Sequence, residues 1–215
     1  MAAAAPRFAL RYFPFGGRGA QCRAILHEAG VAWENVAVNK EMFGKMREEA
    51  PAGFAPFKSL PSLEDRETGM VLAQGAAIMQ YIGRLATPPL TPTDAAADAR
   101  AMEITLAAED LRIKFFAAPL TDGTDEDRAA FKKDHIDGRF GPAFEKLLTD
   151  NGGGDGFFVG DSLTYADLAV WQVLDVLCGK VPGLLDGFPK LAAFVDRINA
   201  RESIVALKGD RSKWF

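Results

Sequence analysis

The run Thr87 to Thr93 reads TPPLTPT and sets three prolines in seven residues. Proline fixes φ and carries no N–H donor, so such a run cannot continue a helix and makes a stiff, extended connector. It divides the 215-residue chain into residues 1–87 and 88–215. At roughly 150 residues per domain the length allows one large domain or two small ones, and the connector favours two. The two parts also differ in charge. The first holds 10 Lys and Arg against 8 acids, the second 15 against 21. Low complexity is confined to the alanine start and the glycine-rich stretch from Asn151 to Gly156.

The first part alternates element types. Phe8 to Phe13 has the aromatics and partial alternation of a strand. Gly16, Gly17 and Gly19 break it, and Cys22, Ile25, Leu26 and Ala29 then keep one face of a helix. Trp33 to Val38 reads as a second strand and Lys40 to Ala50 as a weak, charged helix. Leu63 to Asp65 and Met70 to Ala73 bracket Gly69 as a hairpin, and Ile78, Tyr81, Ile82 and Leu85 return to helical spacing. That order suits a small mixed sheet with helices on its faces. The second part has no comparable strand signal and reads as a helical bundle. Asp94 to Phe116 runs as one long helix, and Glu126 to Leu148 as another that Gly138, Gly141 and Pro142 should bend or break. Thr164 and Asp167 carry a capping-box pattern, with Leu163 and Leu168 placed as a staple before a helix that is apolar on nearly all sides. Leu191, Phe194, Val195 and Ile198 mark a last helix. The expected fold is an α/β domain followed by an all-α domain.

Composition narrows the function classes. A net charge of -4 argues against a nucleic-acid binder, which carries a basic patch or stripe. No apolar run reaches the ~18 residues of a membrane span, and the start does not read as a secretion signal. Two cysteines without CxxC spacing and two histidines make neither a disulfide scaffold nor a metal site. A reduced, cytoplasmic setting is expected.

Three spots in the first part could carry chemistry. Tyr12 ends the first strand ahead of a glycine-broken loop with Arg18, so its hydroxyl would sit beside a helix N-terminus; the plain alternative is a half-buried strand aromatic and a solvated arginine. Ser59-Leu60-Pro61 precedes a short strand. A cis proline there would leave the Leu60 N–H and C=O free to pair with an extended peptide, whereas a trans proline would be an ordinary strand start. Gln74-Gly75 opens a helix whose free N–H groups and dipole suit a carboxylate, and glycine allows close approach; a simple helix start is the alternative.

In order and spacing these spots resemble the cytosolic glutathione S-transferase superfamily, in its tyrosine-type branch (sigma, pi, mu and alpha classes), with the sigma-like members favoured. The resemblance rests on Tyr12-Phe13-Pro14 with Gly17-Arg18-Gly19, then Leu60-Pro61 and Gln74-Gly75. Glu109-Asp110-Leu111-Arg112, Val159-Gly160-Asp161, Thr164 to Leu168, Phe188 to Leu191 and Ala200-Arg201 extend it over nearly the whole chain. It implies a thioredoxin-like glutathione-binding domain over 1–87 and an all-helical domain over 88–215 that contributes a hydrophobic co-substrate pocket, usually in a twofold homodimer. The implied chemistry is detoxification: conjugation of the glutathione thiolate to hydrophobic electrophiles, with peroxide reduction or isomerisation as further outlets, and no cofactor beyond glutathione.

The same resemblance assigns roles. Tyr12 would stabilise the thiolate with Arg18 as a second contributor. Leu60, before Pro61, would pair with the cysteinyl backbone, and Ser59 adjoins it. Gln74 and Gly75 would hold the γ-glutamyl carboxylate, and Asp110 would reach a partner's γ-glutamyl ammonium. Phe13, Phe15, Phe116, Leu120 and Trp214, with Phe215, would line the pocket. Three departures stand out. Gly75 replaces the usual Ser, and Ser59 the usual Gln or Asn. Met42 or Phe43 falls where many members place a Trp, leaving Lys45 as the replacement for the glycyl-end Lys. Phe57 lies where some classes place an aromatic key for the partner subunit. Cys22 and Cys178 read as structural core thiols. A non-catalytic binder of glutathione or apolar ligands, or a structural protein on the same fold, stays open as the alternative.

Overall fold

A computed structural model describes residues 5–49, 54 and 56–214 of the chain. It forms two compact units. The first comprises residues 1–89 together with 201–215, the second residues 90–200. The first unit runs into the proline run, to Pro89, and also takes in the last fifteen residues. They join it through a short helix whose partner is the first helix of the chain.

The first unit is built on β1 (Phe8–Tyr12), β2 (Trp33–Ala37), β3 (Ser62–Asp65) and β4 (Met70–Ala73), in the sheet order β2-β1-β3-β4. β1 runs parallel to β2 and antiparallel to β3, and β3 and β4 close the expected hairpin. Phe8, Ala9 and Leu10 are completely buried, as a central strand covered on both faces requires. Helix α1 (Gly17–Glu28) follows β1, α2 (Lys40–Glu49) follows β2 and α3 (Gly75–Leu85) follows β4. α1 packs on α3 and on the C-terminal helix, α9 (Glu202–Gly209). Its residues Gly19 to Leu26 are all buried, so the single apolar face read from sequence understates how deeply it lies. Arg7 pins the sheet from one side. Its guanidinium donates to both Asp65 oxygens at 3.0 and 2.8 Å, and the Tyr81 hydroxyl of α3 donates to the same carboxylate at 2.6 Å. The Arg7 hydrogen bonds hold the Asp65 carboxyl well below the ordinary carboxylate range. Arg201 and Ser203 both donate to Glu28, anchoring α9 to α1.

The second unit is helical. It contains α4 (Ala95–Ala117), α5 (Asp125–Phe131), α6 (Gly141–Asp150), α7 (Tyr165–Cys178) and α8 (Pro189–Asn199). α4 and α7 form its main contact. Arg112 of α4 is buried between Glu109 and Gln172 at 2.6 and 2.8 Å, and the Tyr165 hydroxyl donates to Asp98 at 2.9 Å. The expected break at Gly138 to Pro142 is a change of helix type instead: Lys132–Phe140 is π-helical and joins α5 to α6. Space at that joint is scarce, because a Cβ on Gly141 would meet the Phe188 ring at 2.5 Å. The capping box is formed. Asp167 is buried and accepts from the Thr164 N–H at 2.7 Å, the Thr164 hydroxyl at 2.8 Å and the Phe158 N–H at 2.8 Å. Burial pushes its carboxyl up to about 6 against the pull of those donors. Cys22 is buried as expected, but Cys178 is exposed, since it ends α7 where the helix leaves the core. Partial burial, then Asp175 and Asp196, push the Cys178 thiol up to about 11. A thiol so placed is not the core residue that the apolar run of α7 suggests.

Candidate active site

Tyr12 is the last residue of β1, and only 4% of its surface is exposed. Its hydroxyl oxygen accepts the Arg18 N–H, in the first turn of α1, at 2.9 Å. That acceptor role leaves the phenolic proton to be donated elsewhere. Burial raises the phenol's pKa, outweighing the Arg18 N–H bond and the Arg18 and Arg23 charges that pull it down. The group therefore stays neutral near pH 7 and remains a donor.

The glycines around Tyr12 follow from its ring. Gly17 has φ +45°, and a Cβ there would lie 2.6 Å from the Tyr12 hydroxyl oxygen. A Cβ on Gly19 would lie 2.3 Å from the ring's Cδ1. Glycine at both positions lets the start of α1 close directly over the tyrosine.

Arg23 lies beside Tyr12 and does not stand out as a candidate in the sequence. It is completely buried in α1. Its guanidinium donates to the carbonyls of Phe15 at 2.8 Å and Phe13 at 3.0 Å, and to Asn35 Oδ1 of β2 at 3.1 Å. It thereby fixes the loop that follows Tyr12, and its charge lies 5.6 Å from the Tyr12 ring centroid. Burial pushes its pKa down to about 10, which leaves it cationic at neutral pH. An arginine inside the run AQCRAIL was the available signal, because a charge in a buried segment has to be paired internally.

Phe13 and Phe15 stack with centroids 5.5 Å apart and an interplanar angle of 2°. Both meet the Tyr12 ring edge-on. Phe43 of α2 extends the cluster against Phe13 and Phe54. Phe15 keeps 49% of its surface exposed, so the cluster presents an aromatic face beside the tyrosine.

The Leu60-Pro61 peptide is cis. Leu60 precedes the first ladder residue, Ser62, which pairs with Arg11, and Ser59 is partly exposed beside it. Gln74 is exposed and takes φ +73°, a conformation that side-chain-bearing residues rarely adopt, immediately before α3. Non-glycine residues held this way cluster at ligand-binding sites. Gly75 opens the helix.

The remaining expected residues are more scattered. Lys45 lies on exposed α2 and is paired with Glu41 at 2.8 Å. Asp110, in the second unit, is exposed and paired with Arg139 at 3.2 Å. Phe116 in that unit is 44% exposed, whereas Leu120 is buried at 1% and so presents no lining surface. Trp214, in the first unit, is partly exposed, and Phe215 lies outside the described residues. Among the described residues no cluster of His, Cys, Asp and Glu could hold a metal ion. None of their helices is long and apolar enough to cross a membrane.

Known proteins resemble this chain in sequence and in fold. Residues 8–84 match the family model described as glutathione S-transferase, N-terminal domain, and residues 109–208 match its C-terminal domain. Glutathione S-transferase P from Homo sapiens is 31% identical over 94% of this chain and 91% of that protein. The Bos taurus protein of the same name gives the same figures. The crystal structure of a glutathione S-transferase from Ascaris lumbricoides superposes with a TM-score of 0.78 at 27% identity, covering 96% of this chain and 98% of that one. A pi-class enzyme from Onchocerca volvulus, at 24% identity, shares the fold with a TM-score of 0.81 over 93% and 91% of the two chains. The relatives carry the P designation rather than the sigma one that the sequence reading favoured. Fold, domain models and relatives agree: the chain belongs to the glutathione S-transferase family.

Proposed function

We propose that the protein is a glutathione transferase that conjugates the glutathione thiolate to hydrophobic electrophiles, with Tyr12 as the thiolate-stabilising donor. The observation that carries this reading is the state of the Tyr12 hydroxyl. It is neutral, and it accepts from the Arg18 N–H, so its own proton can point at a bound sulfur. A free thiol has a pKa of about 8.5 and is mostly protonated at pH 7. Lowering it by about two units takes ~2.7 kcal/mol of preferential stabilisation of the anion. A charge-assisted hydrogen bond supplies about 1.5–3 kcal/mol. The buried Arg23 cation adds an attractive field from behind the tyrosine, and Arg18 adds a second.

Glutathione lies along the first unit in this reading. Leu60, next to Ser59 and the cis Pro61, pairs with its cysteinyl backbone, and Gln74 with the Gly75 N–H takes its γ-glutamyl carboxylate. Lys45 is the cation for its glycyl end. The electrophile meets the sulfur beside the Phe13 and Phe15 face, which suits a flat apolar molecule. No cofactor beyond glutathione is needed, and a cytoplasmic setting keeps that thiol reduced. The protein works as a twofold homodimer: Phe57 is 74% exposed, a large aromatic left for a partner surface, and Asp110 serves the γ-glutamyl ammonium in the partner's site. The non-catalytic reading fits less well, because a binder has no use for a buried neutral phenol backed by a buried arginine. The test is turnover of glutathione with an aromatic halide electrophile. Tyr12→Phe should cut turnover at least tenfold at pH 6.5 with folding stability nearly unchanged; an unchanged rate would refute the assignment.

A further inference from the structure

We propose that Gln21 determines recognition of the amino-acid head of glutathione, supplying from α1 the polar group that residue 75 lacks. The proposal rests on the glutathione reading above and extends it to a residue outside the family motif. Gln21 lies in α1 with only 3% of its surface exposed. A buried primary amide needs partners for its two donors and its acceptor. Its Oε1 has no hydrogen-bond partner among the described residues. The amide is aimed at the start of α3, since a Cβ built on Gly75 would lie 2.5 Å from Gln21 Nε2. Gln21 thus fills the space that a serine at position 75 would take.

This placement explains why residue 75 is glycine, and it assigns the amide a ligand. The N-terminus of α3 already offers free backbone N–H groups to a carboxylate. The amide adds a donor at the same spot. A γ-glutamyl head carries a carboxylate and an ammonium on one carbon. Nε2 matches that carboxylate, while Oε1 stays buried. Gln74, held at φ +73° beside it, brings a second amide to the same helix end.

The test compares glutathione with cysteinylglycine, which keeps the thiol and glycyl end but lacks the γ-glutamyl residue. Calorimetry on the full chain gives both dissociation constants for wild type, Gln21→Leu and the double variant Gln21→Ala/Gly75→Ser. A hydrogen bond to a charged group corresponds to about ten- to hundredfold in affinity. Gln21→Leu should therefore weaken glutathione by at least tenfold and leave cysteinylglycine unchanged. The double variant, in which a serine hydroxyl has room to replace the amide, should recover most of the loss. If Gln21→Leu fails to fold, the double variant decides alone: near-wild-type preference for glutathione supports the proposal, and loss of that preference overturns it. Equal weakening of both thiols, or no weakening of either, also overturns it by making Gln21 a packing residue. Failure of wild type to bind glutathione at all would instead remove the underlying glutathione reading.

Discussion

Replacing Gly19 with alanine should destabilise the protein, although the same change in an ordinary helix stabilises it. In an open helix interior, glycine costs about 1 kcal/mol relative to alanine. Gly44 in α2 is such a position: it is exposed, and a Cβ there would meet nothing within 4 Å. Gly44→Ala should therefore gain about 0.8–1 kcal/mol. At Gly19 the added Cβ would lie 2.3, 2.5 and 3.0 Å from Cδ1, Cγ and Cβ of Tyr12. That side chain is buried, and its far end is held by the Arg18 N–H, so it cannot swing away cheaply. Overpacking of this kind costs about 1–3 kcal/mol, and three close contacts on one side chain place it at the upper end. After the helix gain, a net loss of about 2 kcal/mol remains. The two variants should then differ by about 3 kcal/mol, or roughly 6–12 °C in Tm at this chain length. Urea and thermal denaturation of wild type and both variants measure this directly. Turnover should fall in Gly19→Ala alone, because the hydroxyl is displaced. A Gly19→Ala protein as stable as Gly44→Ala and fully active would refute the claim that the ring dictates the glycine.

Two further outcomes follow from buried carboxylates. Asp167→Ala removes the acceptor for two backbone N–H groups and one hydroxyl at the start of α7, so it should cost about 3 kcal/mol or more, read from urea denaturation midpoints; Asp161→Ala, a neighbouring exposed acid, should change little. Asp65 has its folded pKa depressed by Arg7 and Tyr81, so its stabilising contribution is fully present above the ordinary carboxylate pKa of about 3.9 and is lost as pH falls through the folded value. Asp65→Asn should lower stability at pH 7 and flatten the loss of stability below about pH 4, as seen in chemical denaturation across pH.

The architecture was largely legible because its determinants are local. The two periodicities separated strands from helices, and Thr164 with Asp167 announced the start of α7. The candidate positions around Tyr12, Leu60-Pro61 and Gln74-Gly75 stood out in the sequence because glycine and proline report backbone constraints directly. What stayed hidden depends on contacts distant in sequence. Arg23 reads as a charge inside an amphipathic helix until Phe13, Phe15 and Asn35 are seen around it. Gln21 and Gly75 are 54 positions apart, and only packing of α1 on α3 relates them. Return of residues 201–215 to the first unit rests on Glu28 receiving Arg201 and Ser203, a pairing that no periodicity encodes. Cys178 was misread because an apolar run does not tell where its helix emerges from the core.

The most direct measurement is the thiol pKa of bound glutathione, followed by thiolate absorbance in the ultraviolet against pH, in wild type and in Tyr12→Phe. If the neutral Tyr12 hydroxyl donates to the sulfur, the wild-type complex should titrate about two units below the free-thiol value of ~8.5, and the variant should move most of the way back. A bound thiol that titrates at its free value in wild type, or at the same lowered value in both proteins, would contradict the role given to Tyr12.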